Sequence, residues 1–374
     1  MKYYLIAGET SGDLHASNLM KALKKIDSEA IFRGFGGDLM SAQGLQIVKH
    51  CRELDFMGFV KVAMNLHTIL KNMKLCKRDI LNFQPDVVIL VDYPGFNLRI
   101  ANFLKQQKIK NFYYISPQVW AWNQSRVHQI KRDVDRMFVI LPFEQIFYKK
   151  FDYEVDFVGH PLLDALHNEQ LNFDKSLFLS QQDLQLSKPI VALLPGSRRQ
   201  EIKKMLPMMT SLQADFPNHQ FAIAGVSSVE TAFYNKYSMF QDIPILRHVT
   251  RDLLRASDAA LVTSGTASLE TALMKTPEII CYKGDQLSYL IAKKLIKVNY
   301  IGLPNLIMDK PIVKELIQND FNRINLKNEL SDLIFNIEKR QQIFADYDTL
   351  EQKLGGIGAS EQAAALMWKR LSTY

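Results

Sequence analysis

The sequence predicts an α/β protein built from two doubly wound, Rossmann-like domains facing a cleft. The chain has 374 residues, 47% of them apolar, with no low-complexity tract, which is more than one ordinary core needs. Short apolar runs alternate with amphipathic helical stretches in both halves, the pattern of parallel βαβ units. Each half opens with an apolar strand that runs into a glycine-containing turn, Tyr3 to Ala7 before Gly8 and Ile190 to Leu194 before Gly196.

In the first half, strands are expected at Tyr3 to Ala7, Ile31 to Arg33, Val87 to Val91, Phe112 to Ile115, Met137 to Leu141 and Val155 to Val158. Leu14 to Lys25 and Leu98 to Gln107 carry helical periodicity, and right-handed crossovers would gather the strands into one sheet. A polar stretch from Asn168 to Lys188 reads as the inter-domain connection plus a short helix. The second series has strands at Ile190 to Leu194, Phe221 to Ala224, Ala260 to Thr263 and Ile279 to Tyr282. After Gly355, Gly356 and Gly358 comes an Ala-rich helix, Ser360 to Leu371, with Ser360 as its cap, packing back toward the first domain. The expected division is therefore 1–167, 168–345 and a helical tail, 346–374.

A formal charge of +7 suits an anionic substrate or a membrane surface. Lys and Arg are scattered among 39 acidic residues, however, which argues against a nucleic-acid interface. Cys51, Cys76 and Cys281 lack CxxC spacing and an even count, so neither a disulfide framework nor a zinc site is expected. No apolar run approaches the roughly 18 residues needed to span a bilayer, so a soluble or peripheral cytoplasmic protein is expected.

The stretch Ala259 to Glu270 places a buried strand before Ser264, Gly265 and Thr266 and then a helix. Gly265 permits a tight turn, and free N–H groups at the helix start can receive a diphosphate. Glu270, one turn in, offers a carboxylate to sugar hydroxyls, although strand–glycine–helix junctions occur in every doubly wound protein. Pro195 to Arg199 follows another strand and would meet a phosphate with backbone N–H groups and a guanidinium. Arg198 is the first choice, with Arg199 as a solvated charge.

Ala7 to Asp13 sets two glycines, two hydroxyls and two carboxylates at the sheet edge but is neither GxGxxG nor a P-loop. The competing reading is a plain capped turn with Asp13 serving the helix dipole. Asp92, ending an all-apolar strand before Tyr93-Pro94-Gly95-Phe96-Asn97, can be a desolvated general base or a turn cap. Trp120 and Trp122 can line a ligand or simply pack, His160 reads as a structural histidine, and Asn305 reaches a ligand or completes its turn. Phe56 to Arg78 contains no acidic residue, and Phe59, Val62, Leu66, Ile69, Leu70 and Met73 fall along one helical face; that arc suits a bilayer, acyl chains or an ordinary core. Tyr289 to Tyr300, with Lys293, Lys294 and Lys297, is a weaker second case.

Taken in order, AGETSGD at 7–13, DYPGFN at 92–97, ISPQVWAW at 115–122, LPFE at 141–144, FVGHP at 157–161, LLPGSR at 193–198, SGTASLE at 264–270 and LPN at 303–305 resemble the lipid-A-disaccharide synthase family. The resemblance implies a GT-B glycosyltransferase that joins UDP-2,3-diacylglucosamine to 2,3-diacylglucosamine 1-phosphate, inverting the donor carbon to give a β-1,6 disaccharide and UDP. It implies Asp92 as base for the acceptor 6-hydroxyl, with Glu9 and Ser11 near the reacting sugar. Arg198, Ser264, Gly265, Thr266, Glu270 and Asn305 would hold UDP. It implies no cofactor and no metal, work on the cytoplasmic face of a Gram-negative inner membrane, and room for a homodimer. Two rivals stand beside it: a UDP-N-acetylglucosamine 2-epimerase and a non-catalytic nucleotide-sugar sensor.

Overall fold

A computed structural model describes residues 1–54, 66–170, 173–285 and 299–372. The chain divides into two compact units, Met1–Asp164 with Leu354–Tyr374, and Ala165–Lys353.

Unit 1 holds a parallel sheet of seven strands: β1 (Lys2–Ala7), β2 (Ile31–Gly36), β3 (Gln46–His50), β4 (Val87–Val91), β5 (Asn111–Tyr114), β6 (Arg136–Val139) and β7 (Asp156–Phe157), in the order β3-β2-β1-β4-β5-β6-β7. The central strands are apolar because they are covered on both faces: every residue of β4 is buried, and so is β1 after Lys2. Tyr3, Leu5, Val87, Ile89 and Phe112 share one core with Ala363, Ala364 and Met367 of the last helix, Ala359–Ser372. That helix is capped from a distance rather than by its own serine. Asp164 accepts from the Gly358 N–H at 2.7 Å and the Ser360 N–H at 3.1 Å, so the capping expected of Ser360 falls to a carboxylate nearly two hundred residues earlier.

Unit 2 holds six parallel strands: β8 (Ile190–Leu194), β9 (Gln220–Gly225), β10 (Ile245–Arg247), β11 (Ala259–Thr263), β12 (Glu278–Tyr282) and β13 (Lys314–Ile317), in the order β10-β9-β8-β11-β12-β13. Ile190, Ala192, Ala222, Ala260 and Val262 lie in a second core with Leu253 and Leu254. Both sheets are doubly wound, as the sequence predicts. In each, the strand order reverses between two neighbours, β1 and β4 in unit 1 and β8 and β11 in unit 2. In open α/β sheets such a reversal leaves a crevice beyond the carboxyl ends of the two strands. No helix of the described residues is long and apolar enough to cross a membrane.

Candidate functional site

In unit 1, Ala7 pairs with Val91, so the turns beginning at Gly8 and at Asp92 leave the sheet side by side at the reversal. The contact is close: a Cβ on Gly8 would stand 2.3 Å from the Tyr93 ring, so glycine is required where the first motif passes the second. Glu9 is the half-buried N-cap residue of the helix Thr10–Ile26, and Ser11 is exposed in its first turn. Asp13 stands in the first turn of that helix and also caps a second one. Its buried carboxylate accepts from the N–H groups of Gly37 at 2.7 Å, Leu39 at 3.1 Å and Met40 at 3.1 Å, capping the short helix Asp38–Ala42.

Asp92 and Tyr93 are consecutive residues in the left-handed region, with φ of 44° and 49°. Non-glycine residues hold that conformation only where surrounding structure over-determines it. Here the Asp92 N–H donates to the Tyr114 carbonyl at 3.0 Å, and the Asp92 carbonyl accepts from the Tyr113 hydroxyl at 2.6 Å. Asn97, fully buried, donates to the carbonyls of Asp92 at 2.8 Å, Val91 at 3.2 Å and Ile6 at 3.3 Å, tying both strands at the reversal to the turn. The Tyr93 hydroxyl donates to the Leu54 carbonyl at 3.1 Å, and Pro94 then starts the next helix, Pro94–Gln106. With its main chain held this way, the side chain of Asp92 is half-buried. Desolvation, reinforced by the Glu9 carboxylate and opposed by the Tyr93 N–H, pushes its carboxyl up to about 6. A carboxylate of that strength ionises near neutrality and accepts a proton more readily than an ordinary aspartate. The structure thus brings Asp92 and Glu9 together, and Tyr113 and Asn97 are the supports that local pattern did not reveal.

Described residues of the other unit 1 motifs make contacts within the unit. Trp120 is 6% exposed and meets Phe143 edge-on at 4.9 Å between ring centres. The Trp122 side chain lies outside the described set. Buried Glu144 accepts from the Leu141 N–H at 3.0 Å, and burial pushes its carboxyl up to about 7. His160 is buried and neutral, pushed down to about 3 by desolvation and by His15, with Nδ1 accepting from the Leu162 N–H at 3.2 Å.

In unit 2, Val262 pairs with Leu194, and the two motifs that follow line one cavity of about 510 Å³. Gly196, Ser197 and Arg198 form one wall, and Ser264, Gly265 and Thr266 the other. Arg199 points elsewhere, pairing with Glu230 and lying 4.8 Å from the centre of the Phe233 ring. The helix Arg199–Thr210 already has an anion at its start, because the Glu201 carboxylate accepts from the N–H groups of Ser197 at 3.0 Å and Arg198 at 3.2 Å. The helix Thr266–Leu273 has Gly265 as its N-cap, at φ 156°, and so no side-chain cap of its own; no carboxylate is bonded to its first N–H groups among the described residues. The Ser264 hydroxyl donates to the Ile301 carbonyl at 3.0 Å, so its hydrogen is committed. An anion entering this cavity therefore finds its open seat at the Thr266 helix, beside Arg198.

Two residues expected at this site are not in its lining. Glu270 is paired with Arg251, with Oε1 accepting from Nε at 2.8 Å. It lines a neighbouring cavity of about 830 Å³ that shares only Thr250 with the first. Asn305 is fully buried and its amide is spent within unit 2. It donates to the Val313 carbonyl at 2.9 Å and to Glu315 at 2.8 Å, and it accepts from the Val313 N–H at 2.9 Å. It completes the turn, the other reading its sequence allowed, and has no amide hydrogen left for a nucleotide.

Of the apolar arc, Phe59 and Val62 lie outside the described residues, and Leu66 begins the helix Leu66–Phe83. The described part divides. Met73 is buried with Cys76 and Ile80, Ile69 is half-buried, and Leu70 is 48% exposed. The helix thus buries an i, i+3, i+7 stripe in unit 1, so Met73 is a core residue rather than a lipid contact. Of Tyr289 to Tyr300, residues 289–298 also lie outside the described set.

Solved structures share this fold. UDP-GlcNAc 2-epimerase from Neisseria meningitidis, bound to UDP-GlcNAc, superposes with a TM-score of 0.71 at 14% identity, over 99% of this chain and 100% of that one. The glycotransferase of kitacinnamycin gives 0.66 at 12% identity, over 99% of each. At such identities the likeness is one of fold alone. Sequence goes further. The lipid-A-disaccharide synthase of Syntrophus aciditrophicus is 39% identical over 369 residues, 97% of this chain and 96% of its own. That of Coxiella burnetii is 35% identical over 367 residues, again 97% and 96%. The family model for lipid-A-disaccharide synthetase matches residues 3–367. With nearly the whole chain matched in this way, it belongs to the lipid-A-disaccharide synthase family of glycosyltransferases.

Proposed function

We propose that the chain joins UDP-2,3-diacylglucosamine to 2,3-diacylglucosamine 1-phosphate, with Asp92 as the general base and the Arg198/Ser264–Thr266 cavity as the seat of UDP. The observation that carries this is the raised carboxyl of Asp92, held on a doubly pinned backbone at the strand reversal. In the reaction Asp92 takes the proton of the acceptor 6-hydroxyl as that oxygen attacks the donor anomeric carbon. The bond from that carbon to the diphosphate breaks, and UDP departs with the electron pair. A single displacement inverts the carbon and gives the β linkage. Glu9 keeps the base's affinity for a proton high, and Arg198 and the N-terminus of the Thr266 helix receive the charge that develops on UDP.

The roles divide between the units: unit 1 provides the proton acceptor, unit 2 the leaving-group site. Work at the cytoplasmic surface of the inner membrane follows from the acylated substrates, which partition into lipid. The test supplies both acylated glucosamines in detergent and measures UDP release alongside disaccharide formation. Absence of UDP above background would sink the assignment, while a manno product from UDP-N-acetylglucosamine would point to epimerase chemistry instead.

A further inference from the structure

We propose that the hydroxyl of Thr263, which lies outside the Ser-Gly-Thr turn, donates a hydrogen bond to a phosphoryl oxygen of the nucleotide in the unit 2 cavity. The inference rests on the nucleotide reading of that cavity. Thr263 is the last residue of β11, only 7% exposed, and it lines the cavity with Arg198 and Ser264 to Thr266. Its Oγ1 is fully enclosed and has no hydrogen-bond partner among the described residues. Its register partner in β12 is Cys281, whose carbonyl accepts from the Ser264 N–H at 3.1 Å.

Three hydroxyls that follow it in the chain are committed: Ser264 to the Ile301 carbonyl at 3.0 Å, Ser268 to the Gly265 carbonyl at 2.8 Å and Thr271 to the Ala267 carbonyl at 2.8 Å. Valine would fill the same β-branched volume at a strand end without the standing cost of a buried, unpaired hydroxyl. An acceptor that enters the cavity would relieve Thr263. The surroundings suit an anion, since the start of the Thr266 helix and Arg198 both line the cavity, with the Arg198 guanidinium 3.6 Å from the Glu201 carboxylate that an anion would compete with. A charged acceptor also makes the stronger bond.

The experiment titrates wild type, Thr263→Val and Thr263→Ser with UDP by calorimetry and records the melting temperature of each without ligand. Thr263→Val should bind UDP about tenfold more weakly, the effect of one hydrogen bond to a charged group, while Thr263→Ser stays close to wild type. Unliganded Thr263→Val should melt no lower than wild type, because a methyl has replaced an unpaired hydroxyl. Equal UDP affinity for wild type and Thr263→Val overturns the proposal. So does a Thr263→Ser variant as weak as Thr263→Val, which marks a packing effect. Failure of the wild type to bind UDP is seen before any substitution is compared, and it overturns the nucleotide reading together with the proposal.

Discussion

Replacing Asp92 with asparagine separates its two readings, because a base and a turn cap respond with opposite signs. The substitution keeps shape and removes the charge. The folded carboxyl is raised to about 6 by desolvation and Glu9, above the ordinary aspartate value of about 3.9. The folded state therefore favours the protonated form. Stability from this group is greatest at low pH and declines as pH rises through about 6. An amide, neutral throughout, escapes that decline, so Asp92→Asn should melt at or above wild type at pH 8 and converge with it in acid. Activity moves the other way. Removing a positioned base costs about 10²–10⁴ in turnover. The wild-type kcat/KM should fall about tenfold between pH 8 and pH 5, following the ionised fraction of a group near 6. The variant should lose that acid limb along with the rate, and its UDP affinity should be unchanged. Steady-state kinetics across pH, with scanning calorimetry on the same samples, provide the assay. A variant within about threefold of wild-type turnover, or one melting several degrees lower at pH 8, would refute the base assignment and favour the cap.

Three further substitutions test the supports. Asn97→Ala removes the donors that hold the carbonyls of Ile6, Val91 and Asp92. It should cost about 1–3 kcal/mol of stability and lower kcat more than it raises donor KM, measured by denaturant unfolding and steady-state kinetics. Glu278 is fully buried, neither carboxyl oxygen has a partner among the described residues, and burial with the nearby Glu315 raises its carboxyl well above the ordinary range. The folded state keeps its proton, so wild-type stability falls as pH rises. Glu278→Gln should melt above wild type at pH 9, with the gap closing toward pH 5; a gap independent of pH would contradict this. Asp164→Ala uncaps the last helix by deleting the bonds to Gly358 and Ser360. It should cost roughly 1–2 kcal/mol and expose the segment after Leu354 to limited proteolysis.

What could be read from sequence follows from where each residue sits in the sheets. β1, β4, β8 and β11 flank the reversals, and covered on both faces they are almost wholly apolar and easily found. The strands without a clear apolar run are at the sheet edges. β3 reads QIVKH and is half exposed, β10 has three residues, and β13 reads KELI. Because ligands bind at the reversals, the motifs that matter follow the strands that are easiest to see. The same logic applies to side-chain partners. Local pattern shows the turn and helix that Asn305 and Glu270 occupy, but Val313, Glu315 and Arg251, distant by eight to nineteen positions, claim their side chains. Asp92 shows the limit most clearly. Its carboxylate type and its place after an apolar strand are local facts, whereas its left-handed backbone depends on the Tyr114 carbonyl, the Tyr113 hydroxyl and the Asn97 amide. Two of these supports belong to the next strand of the sheet, so the DYPGFN stretch alone would not hold its aspartate this way. The base strength of Asp92 is accordingly a property of the folded unit, set by desolvation and by Glu9 from a turn more than eighty residues away.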